Sequence, residues 1–413
     1  MSSPHLPLTE AERIARRART QRIIALAEAL GFDIVRVTSA DPFPAARAAI
    51  QDRVALGFFA GMDWFTSERA EVAADPHALL PQAQSIIALG TFYLTDAPRD
   101  LTTSGDPHGQ VSCYAWGDDY HAIIRARLEQ LADLIRRIVA EEGIGVGQDA
   151  TRLFVDTGRM VDRAVAQRAG LGWYGKNTNI LSRQWGSWLF LSEIVTALDL
   201  EPDPPIAASC GHCTVCLEAC PTHAFVAPGV LDATRCISYL TIEHRGAIPI
   251  ELRPLIGNLI FGCDICQQVC PVNLVVEKRL RLRGELGPGS PGEAKRAMFA
   301  PRTSASASPA LIPLLRLTEE EFRDRFRNSP IKRAKRRGLL RNVCVALGNL
   351  RDSAAIPALA EALYDAEPLI RGHAAWALGC MGSDEAQGYL VDALASETMP
   401  EVQAEIRYAL LLQ

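Results

Sequence analysis

The chain has 413 residues, 48% of them hydrophobic and 22% charged, with a formal net charge of −5. That length holds several domains, and that charge argues against a uniformly basic nucleic-acid binder. No apolar run approaches the roughly 18 residues of a membrane span, so no membrane association is expected.

The first predicted element is a helix over 12–30. It contains the dipeptide Arg16-Arg17, but the QRIIALAEALGF that follows is interrupted by Glu28 and lacks a small-residue cleavage site. It reads as an amphipathic helix, not an export signal, and the cytoplasm is the expected location. FDIVRVTSA and SIIALGTFYL (85–94) read as strands. A long helix over 119–141 follows AWGDD. Next come the strand RLFVDT, a helix over about 158–169, the turn GLGWYGKNT and a strand-like SWLFLSEIVTAL. This alternation predicts an α/β or α+β domain over 1–200.

Three stretches of that domain carry chemistry-bearing residues. Asp156 lies between an apolar strand and a helix, where an N-cap aspartate would serve equally. AWGDDYH, with His121, stands at another helix start, and capping again accounts for much of it. GLGWYGKN (170–177) satisfies both G-x-G-x-x-G and G-x-x-x-x-G-K, yet a helix precedes it and Asn177 stands where a P-loop needs a hydroxyl. A sharp turn that brings backbone amides close to a large ligand is the better reading.

EPDPPIAAS is a hinge into a cysteine-rich region, 201–283. Eleven cysteines without an export signal point to metal or redox chemistry rather than disulfides, and eight of them lie between Cys210 and Cys270. Cys210, Cys213, Cys216 and Cys220-Pro221 have the C-x2-C-x2-C-x3-C-P spacing of cubane iron–sulfur clusters. In that pattern three thiolates of one loop hold one cluster and the fourth serves the other. The second copy, Cys263, Cys266 and Cys270-Pro271, has Ile260 where its first cysteine belongs. Cys236 is the unassigned cysteine nearby and replaces it. Crossed ligation then gives one set of Cys210, Cys213, Cys216 and Cys270, and another of Cys220, Cys236, Cys263 and Cys266. CxxC pairs also make zinc sites; eight thiolates in two CP-terminated runs favour clusters.

Residues 284–310, rich in Gly, Pro and Ser, read as a linker loop. In 311–413 a basic segment holds Lys332, Arg333, Lys335, Arg336, Arg337 and Arg341, and a repeat follows. VALGNLRDSAAIPALAEAL aligns with WALGCMGSDEAQGYLVDAL at a shift of 31 residues, as in HEAT-like α-solenoids. Residues 343–413 carry ten acidic and three basic side chains, a net of −7, so the rest sums to +2. The basic segment reads as an arm for RNA phosphates, with a solvated helix face as the plainer alternative.

The ordered set VDTGRMVDRAVAQRAGLGWYGKNTNIL, GSWLFLSEI, CGHCTVCLEACPTHAF, CISYLTIEHRGAIP, GCDICQQVCP and SPIKRAKRRGLLRNVCVALGN resembles the epoxyqueuosine reductases, from about residue 20 onward. The resemblance implies an oxidoreductase that reduces the epoxide of epoxyqueuosine at the wobble position of tRNAs for Tyr, His, Asn and Asp. It implies two [4Fe–4S] clusters, a cobalamin-binding N-terminal domain and an electron donor that the sequence does not identify; a monomer is expected. It makes Asp156 the proton donor. Cys113, Asp264, Lys176, Asn177 and Ser182 become cobalamin-side candidates, with Arg69 a weaker one because SERAEVAADP departs from the usual pattern. Glu243 and Arg245 join Lys332, Arg333, Lys335 and Arg336 as tRNA candidates. The D-x-H-x-x-G cobalamin signature is absent: the D-P-H runs at Asp75 and Asp106 lack its glycine. A reductive dehalogenase and a ferredoxin-type electron carrier are the rival readings. The first commonly carries a working export leader, and the second would not need 200 residues before its clusters.

Overall fold

The computed structural model describes residues 9–144 and 150–412. An antiparallel sheet of four strands lies at the centre of the N-terminal domain, in the spatial order Ile34–Ser39, Ser85–Phe92, Leu189–Thr196, Thr151–Phe154. Antiparallel pairing throughout makes the domain α+β. The period of two sends Val35, Val37, Ile87, Leu89 and Ile194 to one face, under the helices Glu10–Ala29 and Tyr120–Glu141. Ile34, Ile86, Ala88 and Val195 point the other way, against the helix Asp162–Arg168. Full burial of one such aliphatic side chain contributes about 1.5–3 kcal/mol. Arg16, of the twin-arginine pair, is held in the fold by Asp199 at 2.7 Å.

The cysteine region is joined to this domain by a short parallel pairing of Gln110–Val111 with Leu259–Phe261. Paired helices follow: Lys335–Leu350, Ile356–Ala362, Pro368–Met381, Asp384–Ser396 and Pro400–Ala409. They match the repeat expected from the 31-residue shift. Buried Arg253 fastens the repeats to the cysteine region, with Nη1 and Nη2 at 2.9 and 2.6 Å from the Glu405 carboxylate. Arg341, expected in the basic arm, is wholly buried and donates to the carbonyls of Leu240, His244 and Gly246.

The expectation of a loose linker at 284–310 is corrected. Phe299 is buried, the Arg296 guanidinium lies 5.0 Å from the Phe92 ring, and Asp118 donates its backbone N–H to Met298. A Cβ on Gly117 would lie 2.3 Å from the Met298 carbonyl oxygen. The segment is a packed strap, because two apolar side chains and a buried arginine inside a Gly/Pro-rich run are enough to seat it.

Candidate active site

The strand Thr151–Phe154 runs into a bend, and the next helix starts at Asp162, later than the predicted 158. Its N-cap is Val161, which makes no side-chain cap bond, so the capping role does not fall to Asp156. Asp156 instead has φ 39°, a left-handed conformation uncommon outside glycine. Arg69 donates to the Gly158 carbonyl at 2.7 Å and steadies this loop. The carboxyl is open to solvent, with 42% of the Asp156 side chain exposed. The left-handed turn lifts it clear of the sheet.

Two neighbours from the start of the long helix face this carboxylate. The Tyr120 hydroxyl donates to Oδ2, and Nε2 of His121 lies 2.9 Å from Oδ1. The other ring nitrogen of His121 is 2.7 Å from Asp119 Oδ1, and Lys332 Nζ is 2.7 Å from Asp119 Oδ2. The Tyr120 ring stacks on Phe190 with centroids 4.0 Å apart. Burial alone would lower the His121 pKa; the hydrogen bonds to Asp119 and Asp156 outweigh it and push it up to about 9. His121 is therefore an imidazolium at neutral pH. Capping explains only Asp119; the D-Y-H run also supplies the two groups that meet Asp156.

Behind the loop lies a feature the sequence did not suggest. Glu193, 1% exposed on a central strand, meets Asp162 from the first turn of the adjacent helix. Glu193 Oε2 and Asp162 Oδ1 are buried, and no donor reaches either among the described residues. Two acceptor oxygens can face each other only by sharing a proton. Burial first, then mutual repulsion, holds the Glu193 pKa well above its ordinary value, and burial raises that of Asp162.

The cysteines sort into two quartets. Cys216 is within electrostatic reach of Cys210, Cys213 and Cys270, and Cys270 of Cys210 and Cys213. Cys263 is within reach of Cys236 and Cys220, and Cys266 of Cys263 and Cys236. Cys266 also senses Cys216, so the quartets adjoin. Burial, with the neighbouring thiols adding to it, pushes the Cys263 thiol up to about 12. Among the described residues no three His, Cys, Asp or Glu groups close on a single metal ion. Soft thiol donors grouped in this way suit iron–sulfur clusters.

Cys113, Lys176 and Asn177 hydrogen-bond to the cysteine region, where Asp264 lies. Asp264 is buried; it accepts from Ser112 Oγ (2.5 Å), the Cys113 N–H (2.8 Å) and Arg99 (3.0 Å). Cys113 is buried beside it, and burial followed by the Asp264 charge holds its thiol protonated. Asn177 donates to the Cys266 carbonyl at 3.1 Å and Lys176 to that of Gly211 at 2.8 Å. Ser182 is buried and caps the turn at Gln184. These polar groups are thus engaged within the chain. Thr91, Thr95 and Ser192 hydroxyls and the Trp173 N–H are buried without a partner among the described residues. A corrinoid, rimmed by carboxamides, would call for neutral donors of this kind, so the donor chemistry fits.

The tRNA candidates divide. Glu243 pairs with Arg333 at 2.7 Å and with Arg245 at 3.5 Å, and the Arg333 guanidinium lies 5.5 Å from the Trp64 ring. Lys335 is exposed, with φ 59° at the start of its helix. Arg336 turns inward and pairs bidentately with Asp365, its side chain only 14% exposed. That withdraws it from the expected phosphate contacts.

The chain was compared with known proteins. Residues 209–273 match a 4Fe-4S double cluster binding domain, 74–157 match epoxyqueuosine reductase QueG, DUF1730, and 332–411 match HEAT repeats. Epoxyqueuosine reductase of Bacillus subtilis is 37% identical over 390 residues, 94% of each chain. That of Pseudomonas aeruginosa is 42% identical over 356 residues, 84% of this chain and 91% of its own. A solved epoxyqueuosine reductase with a tRNA-Tyr epoxyqueuosine-modified stem loop superposes with a TM-score of 0.83 at 36% identity, covering 95% of this chain and 98% of that one. A Bacillus subtilis structure with its catalytic aspartate loop swung out of the active site gives 0.82 at 35%, with the same coverage.

Proposed function

The chain belongs to the epoxyqueuosine reductase family, and from that premise we propose that it reduces epoxyqueuosine in the tRNA anticodon to queuosine. The tRNAs for Tyr, His, Asn and Asp are its substrates in this reading. The reaction takes two electrons and two protons: both C–O bonds of the epoxide break, a C=C bond forms, and the oxygen leaves as water.

One observation carries the assignment. Asp156 is flanked by a hydroxyl donor, Tyr120, and by a charged imidazole, His121, on a loop open to solvent. Asp156 delivers the proton to the epoxide oxygen as it leaves, general acid catalysis worth about 10²–10⁴-fold. Tyr120 fixes the carboxyl's orientation, and His121 restores its proton from the other oxygen. Lys332 ties the basic segment to this site through Asp119, so RNA held there presents its base to Asp156. Lys332, Arg333 and Lys335 meet phosphates; Glu243 and Arg245 contact the tRNA beside them.

The two thiol quartets would hold the [4Fe–4S] clusters, which would supply electrons one at a time. Cobalamin would be held between Cys113, Asp264 and the glycine turn of Lys176, Asn177 and Ser182, with Arg69 steadying the Asp156 loop at its margin. When bound it supplies a low-valent metal able to put electrons on the epoxide carbon. The test is anaerobic purification followed by incubation with epoxyqueuosine-tRNA and a chemical reductant. Formation of queuosine, with corrinoid and iron–sulfur absorption in the protein, is expected. Iron–sulfur absorption with no corrinoid and no product would reduce the chain to an electron carrier.

A further inference from the structure

The helix Pro271–Leu282 starts at Cys270 and packs inward through Asn273, Val276 and Leu280. Its outward side is apolar as well. Leu274, Val275 and Leu282 are 53%, 64% and 78% exposed, at spacings that put them on one stripe with Lys278. Single exposed aliphatics are ordinary; three on one face beside a redox site are not explained by folding. Val215, next to Cys216 of the same quartet, is 41% exposed, and its neighbours Gly211, His212 and Thr214 are exposed too. By contrast, no residue from Phe261 to Cys270 is exposed. The loop of Cys210, Cys213 and Cys216 is therefore open on this side, while Cys216 and Cys270 themselves are buried, Cys270 against Trp173 and Leu181. The other quartet turns toward the N-terminal domain through Asp264 and Cys113.

The charge beside this stripe is positive. Residues 271–283 hold Lys278, Arg279, Arg281 and Arg283 against one acid, Glu277, on a chain with a net charge of −5. Arg281 is paired with Asp96 and Arg283 with Glu285 at 4.0 Å, and Arg279 reaches the Arg183 carbonyl at 3.2 Å. The side chains of Lys278 and Arg183 make no ion pair among the described residues, and both are exposed. RNA would want cations in series along this face; Leu274, Val275 and Leu282 offer phosphate nothing.

We propose that this face docks an acidic one-electron carrier protein, which reduces the cluster held by the adjoining quartet of Cys210, Cys213, Cys216 and Cys270. Each encounter oxidises the carrier by one electron and reduces the cluster by one, and two encounters supply the pair the epoxide takes. The inference rests on the two-cluster reading above. A small interface of apolar contact with a charged rim suits such a transient encounter.

The experiment follows cluster reduction in anaerobic holoprotein by stopped-flow. The probes are reduced flavodoxin and reduced [2Fe–2S] ferredoxin, both acidic, with dithionite as the small-molecule control. The Leu274→Glu/Val275→Glu double variant and Lys278→Glu should slow the carrier reaction by roughly tenfold or more, with Lys278→Glu also flattening its salt dependence. Their iron content and dithionite rates should match wild type. Unchanged carrier rates in both variants overturn the proposal. So does a wild type that dithionite reduces and neither carrier does. Lost tRNA affinity with an intact carrier rate would make the face an RNA surface instead. A wild type without iron would fail at the two-cluster reading and take the proposal with it.

Discussion

Nε2 of His121 lies 2.9 Å from Oδ1 of Asp156, while Nδ1 of the same ring lies 2.7 Å from Oδ1 of Asp119. A charged imidazole held between two carboxylates can hand its proton to Asp156, which passes it on to the leaving oxygen. Asp156→Asn keeps the shape, the Tyr120 contact and the clusters but has no proton to give. Its single-turnover rate with pre-reduced enzyme should fall about 10²–10⁴-fold. A near-normal rate would leave the proton donor unassigned.

The pH profile tests the relay separately. The folded pKa of His121 is raised from 6.5 to about 9, so the imidazolium persists at neutral pH and is lost as pH rises through about 9. The wild-type single-turnover rate should hold to that point and then decline. In His121→Gln this basic limb should vanish, and the rate at pH 7 should already be low. A limb that survives the substitution belongs to another group.

Cluster ligation predicts an iron count. Holoprotein should bind about eight irons with matching sulfide. Cys236→Ala should lose one cluster, whereas Cys113→Ala, Cys344→Ala and Cys380→Ala should keep both. Cys344 is fully buried among the repeat helices, where it packs as a small apolar side chain. Full iron in the Cys236 variant would mean that another ligand completes its quartet.

The basic segment should show two different behaviours. Arg333→Glu and Lys335→Glu should weaken tRNA binding and lower the log–log salt slope by about 0.7–0.9 for each phosphate no longer neutralised. Arg336→Ala should instead strand the largely buried Asp365 carboxylate and cost about 3–5 kcal/mol of stability. Filter binding across a salt series and a denaturant melt separate the two. Equal loss of binding and stability in all three would count against the division.

Glu193 gives a prediction about stability and pH. Its folded pKa lies well above 4.5, so the native state keeps a proton that the unfolded chain releases. Stability is therefore full below about 4.5 and declines as pH rises toward the folded value, by at most about 1.4 kcal/mol per unit. Glu193→Gln has no proton to lose and can still donate an amide N–H to Asp162. Its urea midpoint should decline less between about pH 5.5 and 8 than that of wild type. Parallel declines would mean that the pair is not protonated.

Much of this was legible because cysteine spacing and apolar periodicity are local. Counting from Cys263 exposed the absent ligand at Ile260, and the structure places Cys236 beside Cys220 and Cys263. The strands of the sheet emerged from the alternation of their own residues. Contacts between distant segments were not legible. Glu193 reads as one polar position in an apolar strand; Asp162, 31 positions earlier, gives it a partner. Such a glutamate inside SWLFLSEIVTAL is itself a signal, since charged residues are seldom fully buried alone. The basic run misled because Arg336 and Arg341 look like Arg333 until helical phase and tertiary contacts place them inward.

The interleaving of the two thiol quartets bears on how the protein fails. With crossed ligation one set would join Cys210 to Cys270 and the other Cys220 to Cys266, so each cluster would fasten the same stretch of chain. Each closes a loop whose opening would release conformational entropy, and neither closure depends wholly on the other. Oxidative loss of either cluster would leave the other fastening in place. Damage by oxygen would then proceed in two stages, with a one-cluster form that stays folded and can be rebuilt before the chain comes apart.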